Sequence, residues 1–328
     1  MKPLHILTIA SASLLAMSCQ QSADVSQTDE APIMLSTPAE AAVDTKEEAG
    51  KIDVQFADWY KPAEPFRVIG NIYSVGSKGL SVYFIPTDKG HILIDGGLPE
   101  NAKIIAENIE TLGYKLSDVS ILLNTHAHFD HSGGLAELKK LSGAQMIAHD
   151  GDKSALEGGF YLGSEDVEDL KTKPVKVDRS VADGEVISLG DTNLTAHLTP
   201  GHSRGCTSWK LKVKEEGMSY EALIFCSASV ALNRLVGKPA VDGNDATRPQ
   251  YEGIVQDYQK TFEVTRDWKP DVFLSNHPEF FKMAEKRAKQ KAGNELAFVN
   301  PDEFSKFIEK MESDFEKNLA KQKTASGQ

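Results

Sequence analysis

Basic residues are in short supply. The chain has 36 Lys and Arg against 48 Asp and Glu, for a net charge of −12 over 328 residues. A nucleic-acid surface needs clustered cations to neutralise phosphate, so that class of partner is excluded. Long apolar runs are also missing: the stretch from Ile6 to Met17 is too short to cross a bilayer. From Gln20 to Gly50 there is no aromatic residue, and a segment of that composition cannot bury enough surface to fold. Cysteine is scarce, at three residues. No Ser-x-x-Lys arrangement occurs, which removes one common route to a covalent serine intermediate.

What is present divides the chain. Lys2 and His5 precede the Ile6 to Met17 apolar core, the pattern of an export signal. Leu15-Ala16-Met17-Ser18-Cys19 resembles a bacterial lipobox. That resemblance implies acylation at Cys19 and membrane anchoring, with plain cleavage into the periplasm as the alternative. The expected organisation is a signal peptide over 1–18, a flexible tether over 19–55 and a single domain over 56–328. A domain of that length can bury a substantial core.

The chemistry concentrates in six residues. His126-Ala127-His128-Phe129-Asp130-His131 supplies three imidazoles and a carboxylate, and His202 and His277 each follow an apolar stretch. Zinc takes imidazole nitrogen and carboxylate oxygen, and a catalytic site leaves one position open for water. Six donors exceed what one tetrahedral ion uses and suit two adjacent ions. Val119–Asn124 reads as a buried strand and Leu135–Leu141 as a helix after Gly133-Gly134. The motif then occupies a strand–loop–helix junction, where scaffolding can aim several side chains at one point.

His126-Ala127-His128-Phe129-Asp130-His131 resembles the H-x-H-x-D-H motif of the metallo-β-lactamase superfamily. Leu93-Ile94-Asp95-Gly96-Gly97 and Thr199-Pro200-Gly201-His202 are similar to two further family segments. Gly205-Cys206-Thr207-Ser208-Trp209 and Ser275-Asn276-His277-Pro278-Glu279-Phe280-Phe281 look like class B, subclass 3 enzymes. The resemblance implies an α/β fold, a four-layer αββα sandwich. It also implies two zinc ions, the first held by His126, His128 and His202, the second by Asp130, His131 and His277. The implied activity is hydrolysis of the β-lactam amide of antibiotics. Zinc lowers the pKa of its bound water to about 7, and Asp130 would orient the hydroxide so formed.

The family's lactonase and glyoxalase II members carry a bridging Asp, and other lactamase subclasses a Cys ligand, where this chain has Cys226-Ser227-Ala228-Ser229. No acidic residue occurs between Ala222 and Pro239. The resemblance assigns Ser227 and Ser229 to the antibiotic carboxylate, and Asn233 to polarising the lactam carbonyl. Two rival readings stay open: a lactonase or thioester hydrolase on the same scaffold, and a non-catalytic zinc-binding lipoprotein. Asp95 is expected either to accept a hydrogen bond from the ligand loop or merely to form a turn. Cys226 reads as a buried thiol. Cys206 and Cys226 flank a hairpin centred near Glu216-Gly217, so a cross-strand disulfide is the alternative.

Short branched runs from Arg67 to Ile94 predict four strands, and a helix is expected from Ala102 to Leu112. The second half repeats the style with strands near Val186, Leu194–Leu198, Ser208–Val213, Leu223–Phe225 and Val272–Leu274. Trp209 and a helix from Tyr251 to Trp268 are expected in the core. Asn300 is expected to cap a final helix whose stripe is Phe304, Phe307, Ile308, Met311 and Phe315.

Overall fold

Alternation along the central strands splits the core in two. The computed structural model describes residues 56–237 and 248–327. The expected export signal, Cys19 and the tether lie outside the described residues. In the first sheet, β1 (Phe66–Ile69), β2 (Ile72–Ser74), β3 (Tyr83–Thr87) and β4 (Gly90–Ile94) run antiparallel in turn. Parallel to β4 then follow β5 (Val119–Leu123), β6 (Gln145–His149) and β7 (Arg179–Val181). Ile92, Ile94, Ile121, Leu123 and Ile147 face the second sheet, while Leu93, Leu122 and Met146 face a layer of helices. Strands buried on both faces need this near-continuous apolar character.

The helices on that outer face are α1 (Asn101–Thr111), α3 (Leu135–Ser142) and α4 (Asp150–Gly158), with the one-turn α2 (Phe129–Ser132) just before α3. They contribute Ile105, Ile109, Leu135, Leu138, Ala155 and Leu156. The second sheet has the order β12-β11-β10-β9-β8. Its strands are β8 (Val186–Leu189), β9 (Thr192–Leu198), β10 (Thr207–Glu215), β11 (Met218–Phe225) and β12 (Val272–Ser275). A two-residue turn joins β10 to β11, with Glu216 at φ 50 and Gly217 at φ 78, the left-handed pair a tight hairpin requires.

Three more helices follow: α5 (Ile254–Thr265), α6 (Met283–Lys291) and α7 (Glu303–Ser326). From α5 and α7, Tyr258, Phe262, Phe304, Phe307 and Phe315 join the core cluster that also holds Ile92, Ile94 and Ile121. The layers are therefore helix, sheet, sheet, helix, as expected. The five-residue stripe of α7 is buried throughout. At roughly 1.5–3 kcal/mol per large apolar side chain, it contributes on the order of 10 kcal/mol before ordering entropy. The helix begins at Glu303, later than the expected cap at Asn300. Asn300 instead donates its N–H to the carbonyl of Asp271 (2.8 Å), which ties it to the approach to β12.

Candidate metal centre

Strands that end on one side of the sandwich deliver the functional side chains. Asp95 follows β4, His126 and His128 follow β5, His202 follows β9, Ser227 and Ser229 follow β11, and His277 follows β12. Asp130 and His131 ride on α2. Two triads result. His126, His128 and His202 are all buried, and their ligand atoms lie within 4.8 Å of one another. In the other, Asp130 Oδ2 lies 3.1 Å from His131 Nε2 and 3.5 Å from His277 Nε2, and the two nitrogens are 3.2 Å apart. His126 also stands within 4.8 Å of Asp130 and His131. His126 therefore borders both sets of donors. Donors about 2.0–2.1 Å from a tetrahedral ion sit about 3.3–3.4 Å from each other, close to the separations within Asp130, His131 and His277.

Protonation agrees with that fit. Burial pushes His126 and His128 well below the ordinary imidazole range, and neighbouring imidazoles add to the effect. Burial likewise lowers His202 to about 4 and His277 to about 3. Burial also opposes the Asp130 charge, but His131, His277 and His128 outweigh it and hold the carboxyl below its usual range. For His131 the Asp130 carboxylate overcomes burial, and the pKa rises. Four of the five imidazoles are thus held neutral beside an ionised carboxylate, the forms that bind a divalent metal, and His131 would release its proton on binding one. The Nε2 atom of His126 is buried without a hydrogen-bond partner, an expense that a cation would remove. His202 Nδ1 lies 2.7 Å from the Ser229 carbonyl. Donating there fixes the tautomer and leaves Nε2 with a free lone pair.

The supports are as specific as the donors. Asp95 adopts a left-handed backbone at φ 68 and is 2% exposed. Its Oδ1 accepts from Asn124 Nδ2 (2.9 Å) and the Thr125 N–H (2.7 Å), and its Oδ2 accepts from the Thr125 hydroxyl (2.7 Å). Asp95 therefore anchors the loop that leads into His126, and burial pushes its pKa up to about 6. Beside it, a Cβ on Gly96 would stand 2.7 Å from the Leu135 nitrogen, and one on Gly134 would stand 2.3 Å from the Gly96 oxygen. Both glycines let the Asp95 loop lace onto the motif through Gly96 N–H to His131 O (2.7 Å).

Asn233 does not occupy the position expected of it. Its Nδ2 donates to the His202 carbonyl (2.8 Å) and to the Tyr258 hydroxyl (3.1 Å), and its Oδ1 accepts from the Tyr161 hydroxyl (2.9 Å). With both hydrogens and the oxygen engaged, the amide braces the His202 loop and has no donor left for a carbonyl. Ser227 is buried and Ser229 half-buried, with their hydroxyls 3.3 Å apart. Cys206 and Cys226 form a disulfide with Cα atoms 5.8 Å apart, so Cys226 is not the expected free thiol. The tight hairpin brings the residues just beyond its strand ends face to face.

Three contributors escaped the sequence. Tyr161 stacks on His128 with ring centroids 4.0 Å apart. Trp59 lies against His277, with centroids 5.5 Å apart. Asp152 bonds two of the loops that carry donors. The aromatic cluster Phe56, Trp59 and Tyr60, immediately after an aromatic-free stretch, was the one available signal for Trp59.

Known proteins resemble this chain. Residues 78–213 match the family model of the metallo-β-lactamase superfamily. Curated relatives match over short spans. A hydroxyacylglutathione hydrolase of Rhodospirillum rubrum is 30% identical over 107 residues, 33% of this chain and 34% of that protein. The probable metallo-hydrolase YqgX of Bacillus subtilis is 32% identical over 139 residues, 42% of this chain and 63% of that protein. The chain thus spans about a third of the length of the first. Solved structures match far more fully. BJP-1, a subclass B3 metallo-β-lactamase of Bradyrhizobium japonicum, is 49% identical and superposes with a TM-score of 0.77 over 82% of this chain and 98% of its own. The FEZ-1 metallo-β-lactamase of Legionella gormanii is 36% identical, with a TM-score of 0.72 over 80% and 98%. With near-complete coverage of relatives at such identity, the chain belongs to the metallo-β-lactamase superfamily and, within it, to subclass B3.

Proposed function

We propose that this protein is a two-zinc hydrolase that opens the β-lactam ring of antibiotics. The observation that carries the reading is the pair of adjoining donor triads, His126, His128 and His202 beside Asp130, His131 and His277. Each triad would hold one zinc ion. Zinc when bound supplies a water acidified to about neutral pKa and a Lewis acid for the attacked carbonyl.

The remaining work falls to the chain. Asp130 keeps its charge through the neighbouring imidazoles and stands where a carboxylate can orient an attacking water. The Ser229 carbonyl accepts from both His202 Nδ1–H and the Tyr258 hydroxyl (each 2.7 Å), holding the imidazole in one tautomer. The Ser229 hydroxyl, the more accessible of the serine pair, donates to the carboxylate that β-lactams carry. Ser227 Oγ accepts from the Ser229 N–H (3.2 Å) and orients that residue. The region after β11 offers no acidic side chain between Ala222 and Pro239, which disfavours a bridging carboxylate of the lactonase kind.

The proposed address is export, with acylation at Cys19 and membrane anchoring. Among the described residues no helix is long and apolar enough to cross a membrane. Cys19→Ala should release the protein from the membrane fraction or block its processing.

Hydrolysis of a carbapenem and a chromogenic cephalosporin, measured beside a lactone and a glutathione thioester, tests the reading. Turnover of the β-lactams supports it. Efficient cleavage of the thioester or lactone with both β-lactams left intact would replace it with the scaffold's other chemistry.

A further inference from the structure

Asp152 belongs to neither triad, yet it is 2% exposed and accepts three hydrogen bonds. It sits in the first turn of α4. Its Oδ2 accepts from the Ala127 N–H (2.9 Å) and the Ser203 hydroxyl (2.7 Å), and its Oδ1 accepts from the Gly205 N–H (2.7 Å). Ala127 lies between His126 and His128, and Ser203 follows His202. One carboxylate therefore joins two loops that leave different sheets, and those loops carry all three imidazoles of the first triad.

The approach this needs is built into two glycines. A Cβ on Gly151 would meet the Arg204 carbonyl at 2.7 Å, and one on Gly205 would meet the Asp152 nitrogen at 2.5 Å. Two of the three donors are backbone N–H groups that cannot turn away. Only an acceptor-only group satisfies all three, since an amide offers a single acceptor oxygen. A buried charge is costly, and the N-terminal end of α4 offsets part of that cost.

We propose that Asp152 is a positioning residue for the first metal ion, setting His126 and His128 on one loop against His202 on the other without touching the ion. The inference rests on the ligand assignment proposed above. An outer partner of this kind typically changes metal affinity, whereas a merely structural group lowers the stability of the whole protein.

The test is a two-step zinc titration of metal-free protein against a chromogenic chelator, with melting of the same metal-free samples, for wild type, Asp152→Asn and Ser203→Ala. Asp152→Asn should weaken one zinc step by about 10–100-fold and leave the other within about twofold. Ser203→Ala should weaken the same step by less, because both backbone donors remain. Unchanged affinities in both variants would overturn the proposal. So would equal weakening of both steps together with a lower melting temperature. If Asp152→Asn does not fold, Ser203→Ala decides alone: one weakened step supports the proposal and two unchanged steps refute it. Wild-type protein that binds no zinc would instead refute the ligand assignment beneath it.

Discussion

Replacing Asn233 by Ala separates the role seen in the structure from the role its position in sequence implies. The substitution deletes the donor to the His202 carbonyl, the donor to the Tyr258 hydroxyl and the acceptor for the Tyr161 hydroxyl. All of these groups lie in the protein interior. Leaving a buried polar group unpaired costs about 1–3 kcal/mol. The His202 carbonyl and the Tyr161 hydroxyl both lose a partner, so the expected destabilisation is about 2–6 kcal/mol. In a domain of this size each kcal/mol lowers the melting temperature by about 2–4 °C. Thermal melting of the metal-free protein should therefore fall by roughly 4–24 °C. Zinc affinity should fall too, because the brace acts on the His202 loop. A residue that only polarised the substrate carbonyl would behave differently, lowering kcat at unchanged melting temperature and zinc affinity. That second pattern would refute the reasoning.

The pH dependence has a definite sign. Burial lowers His202 to about 4 and His277 to about 3, so acid favours the unfolded chain, in which imidazole titrates near 6.5. Metal-free protein should lose stability as pH falls from about 6.5 towards 4, by up to about 3 kcal/mol for His202 alone, in urea melts across that range. A flat profile would contradict the buried neutral imidazoles. Cys206 and Cys226 are 20 positions apart, and closing a loop of that length contributes about 3 kcal/mol in the chain-entropy account. Cys206→Ser with Cys226→Ser should lower the denaturation midpoint accordingly, and an unchanged midpoint would show that the bridge is dispensable. Ser229→Ala should raise KM for β-lactams about tenfold to a hundredfold, since a hydrogen bond to a charged group is worth about 1.5–3 kcal/mol. Hydrolysis with unaltered KM would remove Ser229 from carboxylate binding.

How much was legible beforehand follows from how local each signal is. Strands such as β4 and β5 announce themselves through branched runs, and their double-sided burial explains why both read as continuous rather than alternating. Four of the six candidate donors were legible because three imidazoles and a carboxylate fall within six residues, and His202 and His277 because each follows an apolar stretch. The helix α4 was not. It presents only Ala155 and Leu156 as fully buried apolar side chains, too few to form a readable stripe. Asp152 and Tyr161 lie on and just after it, and were lost with it. Asn233 was misassigned because its neighbours in space come from the loops around Tyr161 and His202 and from α5. No spacing along the chain encodes that convergence. The disulfide stayed open for a related reason, since hairpin register depends on a turn whose two left-handed residues include a glutamate.

Titration of chelator-stripped protein with zinc, followed by the rate of carbapenem hydrolysis, tests the central claim most directly. Activity should be absent without metal and should rise to a plateau at two equivalents of zinc per chain. Full hydrolysis by the metal-free protein would contradict the account, as would a plateau reached with His202→Ala and His277→Ala both in place.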